Sequence, residues 1–255
     1  MKLSERLEII INEVQTNGSA KVADLCVRLG CSEVTIRSDI RKLDEQGILK
    51  KTYGGAVRIE KGLSVEFSPG ESFLNSDSKY RIAKKAYEYI ENRESIIIDD
   101  STTAYYLAKY IKDHPEKHIV VVTNSLLSAA ELSTAGHVDL FIAGGQVVGN
   151  PPSLLDNIAV NAIRQFNVDK AFVGVNGINL KVGLTSMGAP QMDTKREIIK
   201  MANQTYVIAD STKFGTGNLF TVCPMTDIYK VITDTGVTKE IIHLAKKVNV
   251  DMDVV

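Results

Sequence analysis

Residues 31–49 read Cys31-Ser32-Glu33-Val34-Thr35-Ile36-Arg37-Ser38-Asp39-Ile40-Arg41-Lys42-Leu43-Asp44-Glu45-Gln46-Gly47-Ile48-Leu49. Ile36, Ile40 and Leu43 recur at helical spacing and give one apolar face, leaving Thr35, Arg37, Ser38, Arg41 and Lys42 towards solvent. Ser32 stands where the first helical N–H groups need an acceptor. Gly47 supplies the left-handed conformation in which helices often end. Upstream, Val22, Leu25, Cys26 and Leu29 line a second helix that stops at Gly30. Further upstream, Leu7, Ile10, Ile11 and Val14 line a first helix, opening near Ser4 and ending at Asn17-Gly18. Helix, glycine turn, helix is the layout that places the second helix of the pair in the DNA major groove.

Downstream, Ile48-Leu49-Lys50-Lys51-Thr52-Tyr53-Gly54-Gly55-Ala56-Val57-Arg58 reads as two short strands joined at Gly54-Gly55, with basic residues on the first: a wing. The side chains suit DNA. Arg37 and Arg41 can bond bidentately to guanine, Thr35 can touch a base edge, Ser32 can hold a phosphate, and Ser38 and Lys42 share their face. Lys50, Lys51, Tyr53, Gly54 and Gly55 are the wing's candidates. The plain alternative is a three-helix domain with a solvated polar face. Charge leans the first way: residues 1–58 hold ten basic and eight acidic residues (net +2), and the rest of the chain twenty and twenty-three (net −3).

The run from Cys31 through Tyr53-Gly54-Gly55-Ala56 resembles the signature of the DeoR family of bacterial regulators, V-S-x-x-T-I-R-R-D-L-x-x-L-E-x-x-G-x-L-x-R-x-x-G-G-A. It departs where Ser38 replaces the second of the paired arginines. Residues 59–78, with Gly62, Pro69, Gly70 and several serines, lack periodicity and read as a linker.

From residue 79 to 255 helical patterns alternate with β-rich runs. Strands are expected at Ser95–Asp99, Ile119–Thr123, Val138–Ala143, Lys170–Val175, Thr205–Ala209 and Lys230–Thr233. Helices are expected at Tyr80–Glu91, Thr102–Ile111, Ser125–Leu132, Leu155–Gln165, Gln191–Ala202 and Lys239–Lys246. Such alternation predicts an α/β domain with a mostly parallel sheet covered on both faces, and ligands in these sheets bind beyond the carboxyl ends of the strands. Those ends are polar. Asp99-Asp100-Ser101-Thr102-Thr103 runs into a helix and forms an anion site. Thr123-Asn124-Ser125 and Gly144-Gly145 end the next two strands. Asp210-Ser211-Thr212-Lys213 adds a cation at another. Taken singly, helix capping explains each hydroxyl and an ordinary turn explains Gly144-Gly145.

This half also resembles the DeoR family, whose effector domain carries D-x-G-[ST]-T, T-N, G-G, F-x-G-x-x-G-I, G-x-T and D-[ST]-[ST]-K-x-G. Here these fall on Asp99–Thr103, Thr123-Asn124, Gly144-Gly145, Phe172–Ile178, Gly183–Thr185 and Asp210–Gly215. Ser101 replaces the usual Gly, and Gln191 stands where relatives place Glu. The resemblance implies a repressor of a sugar-metabolism operon, released from double-stranded operator DNA by a phosphorylated sugar. The family's effector domain is similar to ribose-5-phosphate isomerase, so catalysis is the rival reading. That enzyme needs a carboxylate to shuttle a proton. Spacing aligns its Asp-Gly-Ala-Asp-Glu motif with Val173–Gly177 and its catalytic Glu with Lys195. The carboxylates are absent from those positions, while Asn176 and Lys195 remain able to bind. No catalytic residue is expected. A third reading, an architectural DNA-binding protein without ligand, is opposed by the polar strand ends.

The remaining expectations concern context. Cys26, Cys31 and Cys223 form no CxxC pair, so buried reduced thiols are expected, with no metal and no cofactor. Met1-Lys2-Leu3-Ser4-Glu5-Arg6 lacks the apolar core of a signal peptide, and no run approaches the roughly eighteen apolar residues of a membrane helix. A cytoplasmic, non-membrane protein is expected. One winged domain buries too little surface for tight operator binding, so a homo-oligomer, dimer or tetramer, is expected too.

Overall fold

The structure, a computed structural model, describes residues 3–45, 48–57, 75–215 and 217–255. It divides into two compact units, Met1–Leu74 and Asn75–Val255. The expected helix stop at Gly47, Arg58 and most of the expected linker lie outside the described residues. Residues 76–78, read above as linker, instead form the first turn of a helix.

The first unit runs α1 (Leu3–Asn17), β1 (Ser19–Lys21), α2 (Val22–Leu29), α3 (Glu33–Glu45), β2 (Lys50–Lys51) and β3 (Gly55–Val57). Ile10, Ile11, Val14, Leu25, Ile36, Ile40 and Leu43 meet in its core, as the helical spacing requires. Gly30 closes α2 at φ 61°, a left-handed conformation open to glycine at no steric cost. Arg6 donates both Nε and Nη2 to the buried Asp39 carboxylate, the latter at 3.1 Å, and so ties α1 to α3. The wing has three strands rather than two, in the order β1-β3-β2. Its turn is Thr52–Gly54, closed by Thr52 N–H to Gly55 C=O at 3.0 Å. Gly55 itself lies in the central strand. A Cβ there would stand 2.0 Å from Ala20 O, so close strand pairing explains this glycine.

The second unit runs α4 (Ser76–Glu88), β4 (Ser95–Ile98), α5 (Thr102–Asp113), β5 (Ile119–Thr123), α6 (Leu126–Leu132), β6 (Val138–Ile142), β7 (Val147–Val148), β8 (Ser153–Leu154), α7 (Asn157–Ile163), β9 (Val168–Val173), β10 (Gly177–Asn179), β11 (Gly183–Ser186), α8 (Ala189–Lys200), β12 (Ala202–Ile208), β13 (Phe220–Cys223), β14 (Lys230–Thr233), α9 (Lys239–Lys247) and β15 (Met252–Val254). Seven strands form one sheet in the order β15-β14-β12-β9-β4-β5-β6, and every pairing in it is parallel. Successive residues of a strand point to opposite faces. Ile96, Ile98 and Phe172 accordingly enter the cluster beneath α4 and α5, whereas Ile97, Ala171 and Val173 enter one on the other side. Both faces are buried, which is why these strands read as continuous apolar runs. The hairpin β7–β8 and the antiparallel sheet β10-β11-β13 were not foreseen from sequence.

Candidate functional site

On the first unit the exposed residues of α3 include Glu33, Val34, Arg37, Ser38, Arg41 and Lys42. Ser32 caps the helix, its Oγ accepting from Thr35 N–H at 3.3 Å and lying 2.9 Å from Thr35 Oγ1. Both hydroxyls are therefore engaged within the protein. Arg37 donates to Glu33 at 3.2 Å and to the Tyr53 carbonyl at 3.2 Å, which links α3 to the wing. Lys50, Lys51 and Gly54 are exposed, and Tyr53 is completely so. Gly55 is buried and leaves the candidate DNA surface.

On the second unit the ends of β4, β9 and β12 lie side by side. Asp99, fully buried, accepts from Ser101 N–H at 3.0 Å and Gly174 N–H at 2.9 Å. Lys195 reaches in from α8, pairing with Asp99 and, at 3.2 Å, with Asp100. Burial works against the Lys195 charge, but the two carboxylates outweigh it and hold the ammonium protonated above its ordinary range. Burial pushes Asp99 up from its ordinary value, with Asp100 adding to the rise and Lys195 opposing it. Ser101 caps α5, its Oγ accepting from Ala104 N–H at 3.1 Å. It needs no glycine conformation, since its φ is −72°. Room for its side chain comes from Gly174, where a Cβ would stand 2.2 Å from both Ser101 Cβ and Oγ. The serine that departs from the family motif is thus matched by the glycine beneath it.

The other candidates sit as follows. Asn124 is buried after β5; its Nδ2 donates to Leu154 C=O at 3.3 Å, and its Oδ1 has no protein partner. Gly145, at φ 126°, leaves room for the Asp156 carboxylate, which a Cβ would approach to 2.2 Å; packing explains this glycine without a ligand. Gly144 is exposed. The Asn176 side chain accepts from Ser186 Oγ and Met187 N–H, each at 3.4 Å. Lys213 closes a short 3-10 turn after β12. Because β9 separates β12 from β4, Lys213 lies two strands from the Ser101 loop rather than on the adjacent one, roughly 10 Å at strand spacing. Lys195 changes role most. The aligned motif lacks carboxylates, yet the site keeps two, Asp99 and Asp100, and Lys195 is consumed in pairing with them. No group of His, Cys, Asp and Glu among the described residues could hold a metal ion.

Comparison with known proteins now identifies the two units. The profile of the DeoR-like helix-turn-helix domain matches residues 6–62, and that of the DeoR C terminal sensor domain matches residues 74–235. The chain belongs to the DeoR family. This DeoR-family chain is 31% identical to the HTH-type transcriptional regulator YulB of Bacillus subtilis, over 92% of this chain and 90% of the relative. It is 28% identical to the HTH-type transcriptional repressor GlcR of Bacillus subtilis, over 92% and 89%. It is 26% identical to the glycerol-3-phosphate regulon repressor of Escherichia coli, over 92% of each. Among solved structures, ribose 5-phosphate isomerase A of Methanocaldococcus jannaschii aligns with a TM-score of 0.42 at 17% identity, over 55% of each chain. No helix among the described residues is long and apolar enough to cross a membrane.

Proposed function

We propose that this DeoR-family regulator represses a sugar-metabolism operon from the cytoplasm. It binds double-stranded operator DNA as a homo-oligomer and lets go when its sensor unit takes up a phosphorylated sugar. The N-terminus of α5 carries this reading. The first N–H groups of any helix lack intrahelical acceptors and carry a partial positive charge. On α5 these belong to Thr102 and Thr103, directly above the strand ends. A phosphate dianion suits that position, and Lys195 already neutralises much of the Asp99–Asp100 charge that would repel it. Lys213 supplies a full positive charge from the far side of β9, and Asn124, Gly144, Gly145 and Asn176 border the space a sugar would occupy. Ligand acts by favouring one arrangement of the DNA-reading units over another; a hundredfold preference is worth about 2.7 kcal/mol, enough to release an operator.

The crevice is a sensor rather than a catalytic site. A proton-shuttling carboxylate needs a lone pair facing substrate, whereas Asp99 spends its oxygens on Ser101, Gly174 and Lys195, and Asp100 is paired with Lys195. The test is thermal denaturation of purified protein against a panel of sugar phosphates and their free sugars. At a hundred times its Kd a phosphosugar adds about 2.7 kcal/mol, a rise of roughly 5–10 °C for a unit of this size. Equal rises with the free sugar, or conversion of an aldose phosphate to a ketose, would contradict the proposal.

A further inference from the structure

The outward stripe of α3 consists of Val34, Arg37, Ser38 and Arg41, at spacings i, i+3, i+4 and i+7. Three of the four are polar. The Val34 side chain carries no polar atom, yet the residue is 79% exposed, though valine is among the residues most often buried. Isolated exposed apolar residues are ordinary on protein surfaces; what separates Val34 is its place. It lies in the first turn of α3, and the N-terminal residues of a recognition helix are those that meet base edges. Its neighbours on that turn are occupied: Thr35 by Ser32, and Glu33 by Arg37. The major groove offers one apolar recognition feature, the 5-methyl group of thymine.

We propose that Val34 is a specificity-determining residue that selects a thymine in each operator half-site through contact with its 5-methyl group. The inference rests on α3 entering the major groove. Glu33 restrains Arg37 beside it, so an Arg-read guanine close to that thymine completes the expected half-site pattern.

The experiment uses the full chain. Binding sites are selected from a random-sequence duplex library, and each dT of the consensus is replaced singly by dU, which removes only the methyl group. With wild type, one dU position per half-site weakens binding about fourfold, the weight of one methyl-sized apolar contact. Val34→Ala binds the dT operator about as weakly as wild type binds the dU operator, and dU at that position costs it nothing further. No effect of dU at any position, or an equal dU penalty in Val34→Ala, overturns the proposal. Failure to select any consensus instead overturns the major-groove reading beneath it, and the proposal falls with that reading. Val34→Ala places a strong helix former at an exposed position, so loss of fold does not confound the comparison.

Discussion

Replacing Lys195 with Met tests the account of the sensor crevice at its most buried point. The substitution keeps the volume but removes the charge that Asp99 and Asp100 share. Lys195 is 4% exposed and Asp99 fully buried, so water cannot take over the pairing. Breaking a buried pair by deleting one partner costs about 3–5 kcal/mol, because the remaining charge is stranded. For a unit of this size each kcal/mol moves Tm by about 2–4 °C, so the sensor unit should melt on the order of 10 °C lower. Asp99 would take up a proton instead, and Lys195→Met should therefore recover part of its loss as pH falls towards 5. Combining it with Asp100→Asn, which leaves the Ser101 and Gly174 N–H bonds to Asp99 in place, removes one of the two stranded charges and should restore part of the lost stability. The assay is denaturant unfolding of the full chain, following the sensor transition across pH. A loss below about 1 kcal/mol, or a double variant no better than the single one, would refute the reasoning.

Three further outcomes follow from the geometry. Gly174→Ala drives a Cβ to 2.2 Å from Ser101; overpacking should cost about 1–3 kcal/mol and dislodge the α5 cap. Calorimetry should show that loss, and phosphosugar binding should weaken; unchanged binding would mean the Ser101 loop is not the phosphate site. Arg37→Ala should weaken operator binding by about 1–3 kcal/mol per half-site without lowering Tm, as gel-shift titration beside a melt would show; unchanged affinity would remove Arg37 from the reading set. Ser95 donates its N–H and hydroxyl to Asp169, at 2.9 and 2.7 Å, and these bonds hold that carboxyl below its ordinary range. With the folded value below the unfolded one of about 3.9, the stabilisation is present at neutral pH and lost as pH falls through 4 and below. Asp169→Asn should therefore melt below wild type at pH 7, with the gap narrowing as pH falls below 4. A gap independent of pH would contradict this.

The helices of the first unit were legible because each buries one face, and burial prints a 3.6-residue period on the sequence. Strand β1 was not: Ser19-Ala20-Lys21 is too short to show alternation, and its existence depends on the distant Gly55. Five strands of the large sheet, β4, β5, β9, β12 and β14, were legible because burial on both faces leaves apolar runs, and β6, an edge strand, because Val138, Leu140, Phe141 and Ile142 still make it apolar. The edge strand β15, three residues with Asp253 in the middle, leaves none. At the site, polar groups at strand ends could be found from their position after apolar runs. What each one touches could not. Gly55 and Gly145 look like wing and ligand glycines in sequence, but backbone and Asp156 occupy the space a Cβ would need. The Lys195–Asp99 contact joins residues 96 positions apart, and nothing in local spacing encodes it. Val34 carries no pattern of its own as an apolar residue in a polar face; its exposure together with its place in the first turn of α3 marks it.

The central claim is that a phosphorylated sugar holds the sensor unit in a form that releases DNA. It is tested most directly by titrating the preformed operator complex, wild type beside Lys213→Ala, with rising phosphosugar and separately with the corresponding free sugar. DNA retention is followed by fluorescence anisotropy. The account predicts that wild type lets go with the phosphosugar alone, since only the phosphate can engage both the α5 donors and Lys213. Lys213→Ala should bind operator normally and stay bound. Release by the free sugar at the same concentration, or release of Lys213→Ala at the wild-type phosphosugar concentration, would contradict it.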